Sequence, residues 1–237
     1  VLDVGASYRG WGGTVAMTST DTIPARTKLS PSDLTFLWSG CRRCFWLKYH
    51  VGHVLTTPFP GLVTALSASQ EAWYRDKKAT DFSSTLPDGA VHSTNKSVTS
   101  TPLVLDGQAT PVVLSGRYDF LLAYDDGTYG IIDTKLSTRG GKAEFYWPQL
   151  AAYKYILEHP ASGEARMCQT MGLMIWTPND AERISEESFV VGFAPTYEGA
   201  LESLLEQVLR CILSDVPPEP GKCLTCAYVS GHPLAGP

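Results

Sequence analysis

Two runs, 112–123 and 129–136, carry apolar residues on both faces and flank Asp125-Asp126-Gly127. Strands that are apolar on one face need one layer of cover, and strands apolar on both faces need two. The runs therefore predict a hairpin at the centre of a covered sheet, with the Asp-Asp-Gly triplet as its turn. Such a hairpin has little reason to carry charge, yet this one holds Asp119, Asp133 and Lys135.

The flanking segments supply the cover. Ser30-Pro31-Ser32-Asp33 has a cap residue, a proline for the first helical position and an acid for the first turn, and so predicts a helix start. The apolar spacing of Leu34, Leu37, Trp38, Cys41, Phe45 and Leu47 carries that helix to about Tyr49. Further helices are expected over 62–78, 146–158 and 197–213, the second stopped by Pro160. Strands are expected over 168–176 and 188–193. Residues 80–101, rich in Ser, Thr, Asp and Gly, read as loop. The order is that of a mixed α/β domain, a sheet flanked by helices. It has no internal repeat. Residues 29–232 are read as one domain and residues 1–28 as an extension, flexible in part. The chain opens on Val1, and Met17 offers an alternative start that makes 1–16 an appendage without helical or strand period.

The 237 residues suffice for one sizeable core. Twenty-four acidic against nineteen basic residues give a net charge of −5, which argues against sequence-blind coating of DNA. A nuclease remains open, because bound cations and local basic groups offset an acidic site. Arg42 and Arg43, then Arg75, Lys77 and Lys78, then Arg139 and Lys142 gather the positive charge; they suit a DNA backbone and equally an ordinary solvated surface. No apolar run approaches the roughly 20 residues of a membrane span, and no secretory pattern stands out. A cytoplasmic location without membrane partners is expected.

Residues two apart on a strand share a face, so Asp133 and Lys135 project together. A two-residue Asp126-Gly127 turn sets Asp119 opposite Thr134. A three-residue loop sets it opposite Asp133, and Gly127 as last loop residue suits the left-handed position of that loop. Two buried carboxylates this close repel unless a cation or a proton lies between them. Mg²⁺ or Mn²⁺ suits such oxygen ligands, and Lys135 adds positive charge where a phosphodiester under attack gains negative charge. Gln149 and Tyr153 share one helix face, in reach of DNA or the lysine.

Six cysteines include two Cys-x-x-Cys pairs, Cys41/Cys44 and Cys223/Cys226, the second expected in a loop. Four thiolates fit zinc or an iron–sulfur cluster, and the long separation suggests a clasp joining the two ends of the domain. Cys168 and Cys211 read as core thiols.

The string from Gly116-Arg117-Tyr118-Asp119 through Ile131-Ile132-Asp133-Thr134-Lys135 to Gln149 and Tyr153 resembles the PD-(D/E)xK nuclease superfamily. Within it the chain is most similar to the RecB-like branch, which includes the AddB nuclease domain and CRISPR-adaptation exonucleases. The helix bearing Cys41-Arg42-Arg43-Cys44-Phe45-Trp46-Leu47 resembles that branch too, so the likeness covers roughly 29–228. It implies a restriction-endonuclease-like mixed central sheet flanked by helices. It also implies a metal-dependent, exonuclease-like DNA nuclease with Asp119, Asp133, Lys135, Gln149 and Tyr153 at its centre, acting on single-stranded ahead of double-stranded DNA. Family members often draw a further ligand from an early helix, for which Glu71 is the candidate. The branch carries a 4Fe–4S cluster on one early and three late cysteines. Here the pattern is two and two: Cys41 matches the early position, Cys223 and Cys226 the first late pair, and Cys44 or His232 completes the set, with Zn²⁺ as the alternative. The competing reading is a catalytically degenerate nuclease fold that binds DNA or a protein partner, or assembles with itself.

Overall fold

The computed structural model describes residues 24, 26–52, 61–137, 143–179, 188–197 and 199–229, and for Leu62 the backbone alone. The 1–16 extension, Met17, Arg139, Lys142 and His232 lie outside the described residues.

In chain order the elements are β1 (Lys28–Leu29), α1 (Pro31–Asp33), a π-helix (Leu34–Trp38), α2 (Arg42–His50), α3 (Gly61–Tyr74) and α4 (Ala79–Phe82). There follow β2 (Gly89–Thr94), β3 (Ser97–Leu105), β4 (Gln108–Arg117), β5 (Phe120–Tyr124), β6 (Tyr129–Leu136) and α5 (Ala143–Glu158). The chain continues through β7 (Cys168–Pro178), β8 (Phe189–Pro195), α6 (Leu201–Ile212) and α7 (Leu224–Val229). The strands form a five-stranded sheet in the order β2-β5-β6-β7-β8 and a three-stranded sheet in the order β1-β4-β3.

The five-stranded sheet is the covered layer that the apolar runs demand. Leu121, Ile131, Leu173 and Ile175 face α5, α6 and the smaller sheet; Phe120, Leu122, Tyr124, Ile132, Met174 and Trp176 pack on Tyr74, Ala79, Phe82 and Leu86. β5 and β6 are antiparallel, and β6 runs parallel to β7 with α5 as the connection. The hairpin closes as the three-residue loop requires. Tyr124 donates its N–H to the Thr128 carbonyl at 2.9 Å, and Gly127 has φ +84. A side chain at that φ costs about 1–2 kcal/mol.

Several expectations need correction. The run 112–123 is two strands, not one: β4 ends in the small sheet, Tyr118 and Asp119 turn the corner, and β5 begins in the large one. Residues 80–101 are not loop. They hold the end of α4, all of β2 and the start of β3, because Thr and Val sit well on a half-buried pleated surface and Ser can join them at an edge. Asp106-Gly107, at φ 52 and 77, is the two-residue turn joining Leu105 to Gln108. The first helix is not continuous to Tyr49. It widens into the π-helix and breaks at Cys41, which is extended (φ −163, ψ 111) and starts α2. α3 ends at Tyr74 rather than 78, because Asp81 Oδ2 takes the Lys78 N–H (2.9 Å) to cap α4. α6 starts at Leu201 rather than 197, since Thr196 still bonds to Met171 of β7. Cys226 lies on α7, not in a loop.

Candidate active site and cysteine centre

The β5–β6 ladder ends with Phe120 opposite Ile132; Asp119 lies just before it, in the bend that leads into β5, and bonds to Thr134 beside Asp133. Asp133 is 5% exposed, deep on the α5 side of β6. Lys135 forms an ion pair with its Oδ2, and Gln149 Nε2 donates to its Oδ1 at 3.0 Å. Gln149 is itself buried, and its Oε1 has no hydrogen-bond partner. Lys135 Nζ also lies over the Tyr146 ring, 5.1 Å from its centre. Tyr153, one turn beyond Gln149 on α5, donates its hydroxyl to the Arg117 carbonyl at 2.7 Å. Its pKa is raised by burial and then by the charges of Asp133 and Asp119.

Asp119 is half-buried and faces a cleft of about 400 Å³, also lined by Glu71, Asn95, Arg117 and Thr134. The Thr134 N–H and hydroxyl both donate to Asp119 Oδ2, each at 2.7 Å. Glu71 reaches the same cleft from α3. It accepts from Thr94 (2.7 Å), Asn95 (3.0 Å) and Arg75 (3.2 Å). The Thr94 hydrogen bond chiefly, with Asn95 and Arg75, holds its carboxyl below the usual range against the opposing effect of burial. Asp119, Asp133, Lys135 and Gln149 are thus one neighbourhood, with Tyr153 behind them and Glu71 across the cleft. The three carboxylates do not close up as ligands on one ion do. Among the described residues only the four cysteines form a group of three or more whose ligand atoms all lie within 4.8 Å of one another.

Two irregular helices meet beneath this site. Pro148 lies inside α5, and a proline there deprives the helix of a hydrogen bond. The next residue, Gln149, donates its N–H to Thr35 Oγ1 on the π-helix at 3.2 Å. Thr35 is fully buried. It is a positioning residue that sequence reasoning missed. Its one trace was Pro148, set beside Gln149 where a regular helix admits no proline.

At the other centre, Cys41 and Cys226 sulfurs are 3.5 Å apart, Cys44 and Cys223 3.5 Å, and Cys44 and Cys226 3.8 Å. Burial pushes the Cys44 thiol up, and its contacts with Cys223, Cys41 and Cys226 push it further. Burial also opposes ionisation of Cys223. The Cys226 N–H, 3.4 Å from its sulfur, and the neighbouring thiols outweigh burial and bring it down to about 7. Four crowded thiols with one ready to ionise can take a cation as it displaces the remaining protons. A Cβ at Gly221 would lie 2.9 Å from the Cys41 sulfur, so this glycine, too, belongs to the centre.

No family model matches the chain, and no curated protein matches it in sequence. Solved structures do match it. One is SSO0001, with a TM-score of 0.52 and 14% identity over 86% of this chain and 84% of that one. Another is a protein from Eubacterium rectale named "Putative exonuclease", with a TM-score of 0.51 and 15% identity over 89% of this chain and 90% of that one. At such identities the likeness is one of fold. The fold is a restriction-endonuclease-like, mixed α/β fold.

Burial raises the Asp133 carboxyl to about 6; the Lys135 charge opposes this and the Asp119 charge adds to it. A carboxyl raised in the folded state contributes its full stability below the unfolded value, near 3.8, and loses it as pH rises through about 6. In EDTA the chain should therefore lose stability relative to Asp133→Asn as pH rises from about 4 to about 8. The asparagine leaves Lys135 without its partner throughout that window, so the slope rather than the offset reports the carboxyl. Paired thermal melts showing a pH-independent difference contradict the assignment.

Proposed function

We propose that the chain is a metal-dependent DNA nuclease of the PD-(D/E)xK type, RecB-like and exonuclease-like in action. The observation that carries this reading is Asp133, a buried carboxyl with too little positive charge around it, beside Lys135 and close enough to the cleft-lining Asp119 to feel its charge. The donor set fits Mg²⁺ or Mn²⁺. It consists of oxygens, and the charge of a divalent ion there would offset the burial and the Asp119 charge that keep the Asp133 carboxyl up. Asp119 and Asp133 would hold the ion, and Glu71 is the candidate for a further ligand from α3. When bound, the ion supplies Lewis acidity for water activation and neutralises charge at the scissile phosphate. Lys135 adds a fixed positive charge for the developing phosphorane. Gln149 keeps the Asp133 carboxylate aimed, and Tyr153 fixes the backbone at Arg117.

One observation favours the second reading, a degenerate nuclease fold that binds DNA or a protein without cutting, or assembles with itself. Each carboxylate already has internal partners: Asp119 Oδ2 accepts twice from Thr134, and Asp133 is held by Lys135 and Gln149. The assay that separates the two uses labelled single-stranded and duplex DNA with Mg²⁺, Mn²⁺ or EDTA. Cleavage is expected with either metal and not with EDTA. Asp133→Ala and Lys135→Ala should each lower the rate at least about a hundredfold, the scale for losing one transition-state stabiliser, while DNA binding survives. Binding without cleavage under every metal condition selects the degenerate reading.

For the cysteine centre, we infer a single zinc ion rather than the 4Fe–4S cluster the resemblance implies. Thiolates about 2.3 Å from a tetrahedral ion lie about 3.8 Å from one another, and a cubane, with an iron behind each sulfur, spreads its ligands further. The observed contacts of 3.5 to 3.8 Å support the single ion. Protein purified anaerobically should be colourless and carry one zinc per chain by elemental analysis. Brown protein with about four irons reverses the assignment. Cys223→Ser should unfold the domain at lower temperature whichever metal is held, because metal binding then acts as folding free energy.

A further inference from the structure

We propose that Phe36, Phe145 and Tyr146 form a stacking platform for unpaired bases of single-stranded DNA. The proposal rests on the nuclease reading above and names the strand form that the same site takes. Phe36 leaves the π-helix 49% exposed, and Phe145 leaves the first turn of α5 45% exposed. Their ring centres are 5.5 Å apart, and Tyr146 is 5.8 Å from Phe36 and 5.2 Å from Phe145. Among the described residues, Phe36 and Phe145 are the one pair of mutually touching rings in which both are strongly exposed. Two phenylalanines held together in water gain nothing from exposure, and such a patch marks a contact surface.

Position selects the occupant. Tyr146 is also the ring beneath Lys135 Nζ, at 5.1 Å, so the patch continues directly from the Asp133–Lys135 pair. A base is joined to its phosphate through one sugar. A strand whose phosphate reaches Lys135 therefore brings a neighbouring base to the rings. Every base has a π-face and stacks on aromatic side chains without sequence preference, whereas a duplex keeps its faces against one another. The platform accordingly favours single strands and frayed ends over intact duplex. Its backbone is held by the contact that aims Gln149 at Asp133: the π-helix and α5 are joined through Thr35 and the Gln149 N–H. The irregular turn that sets the carboxylate also presents Phe36 beside Phe145.

The test uses the full chain with no added Mg²⁺ or Mn²⁺, so that binding is read without cleavage and the cysteine centre keeps its metal, with short single-stranded oligonucleotides carrying 2-aminopurine and a blunt duplex of the same length. Phe36→Ala and Phe145→Ala should each weaken single-strand binding about five- to a hundredfold, the range for loss of one base–aromatic stack. Duplex binding should move less than about twofold, and Phe145→Trp should restore single-strand affinity. Quenching of 2-aminopurine on binding should be strong with the unaltered chain and weak with the alanine variants. Equal losses for single strands and duplex, or unchanged single-strand binding, overturn the platform. So does a dimer in sedimentation that Phe145→Ala converts to monomer, because the rings then cover a second copy of the chain. Quenching without cleavage in any metal leaves the platform standing and removes the nuclease reading. Metal-dependent cleavage of single strands that both alanine variants leave unchanged at low substrate removes the platform alone.

Discussion

Asp133 keeps a carboxylate in the wall of the central sheet, 5% exposed, with one lysine and one amide for company. At neutral pH that ionised group costs on the order of 3 kcal/mol, by the displacement of its pKa from 3.8 to about 6. A fold carries such a penalty where the charge has a use. The surrounding irregularities are arranged about it. Gln149 reaches the carboxylate from α5 next to Pro148, and Thr35 reaches the Gln149 N–H from a π-helix, a form frequent at functional sites.

The cysteine centre is linked to this arrangement through the chain. The π-helix leads within a few residues to Cys41, whose extended backbone ends one helix and starts the next. Cys41 and Cys44 meet Cys223 and Cys226 across 179 to 185 residues, bringing α2 against α7. Polar contacts reinforce that closure. Trp46 Nε1 donates to the Ser214 carbonyl at 2.8 Å, Arg43 donates to the Pro218 carbonyl at 2.9 Å, and His50 Nε2 lies 2.6 Å from the Ile212 carbonyl. A metal bound by these cysteines would close a long loop and hold the segment that carries Thr35. The two centres are mechanically connected although their chemistry is separate.

The central hairpin was legible because its apolar runs and Asp-Asp-Gly turn leave few ways to bury both faces, and its register followed from Gly127 alone. The corner at Tyr118-Asp119 was not legible, since a strand that changes sheets keeps the same apolar pattern on both sides of the bend. The hairpin of β3 and β4 was missed although Asp106-Gly107 announces it. Thr and Ser in β3 are shared between turn and strand vocabularies, and only the partner strand decides between them. That Asp133 and Lys135 share a face was legible from their spacing; that Gln149 turns to Asp133 rather than to the lysine was not. Thr35, Thr134 and Gly221 were not legible either, because each acts on a single residue distant in sequence. The three carboxylates remain less closely gathered than the cysteines.

The central claim is that Asp119 and Asp133 share one divalent cation. Mn²⁺ binding followed by electron paramagnetic resonance at pH about 7.5, where Asp133 is ionised, tests it without reliance on any substrate. One tightly bound Mn²⁺ per chain is expected, lost in Asp119→Ala and separately in Asp133→Ala, and retained in Phe145→Ala. Mn²⁺ that binds equally well after removal of either carboxylate, or a chain that binds none, contradicts the account.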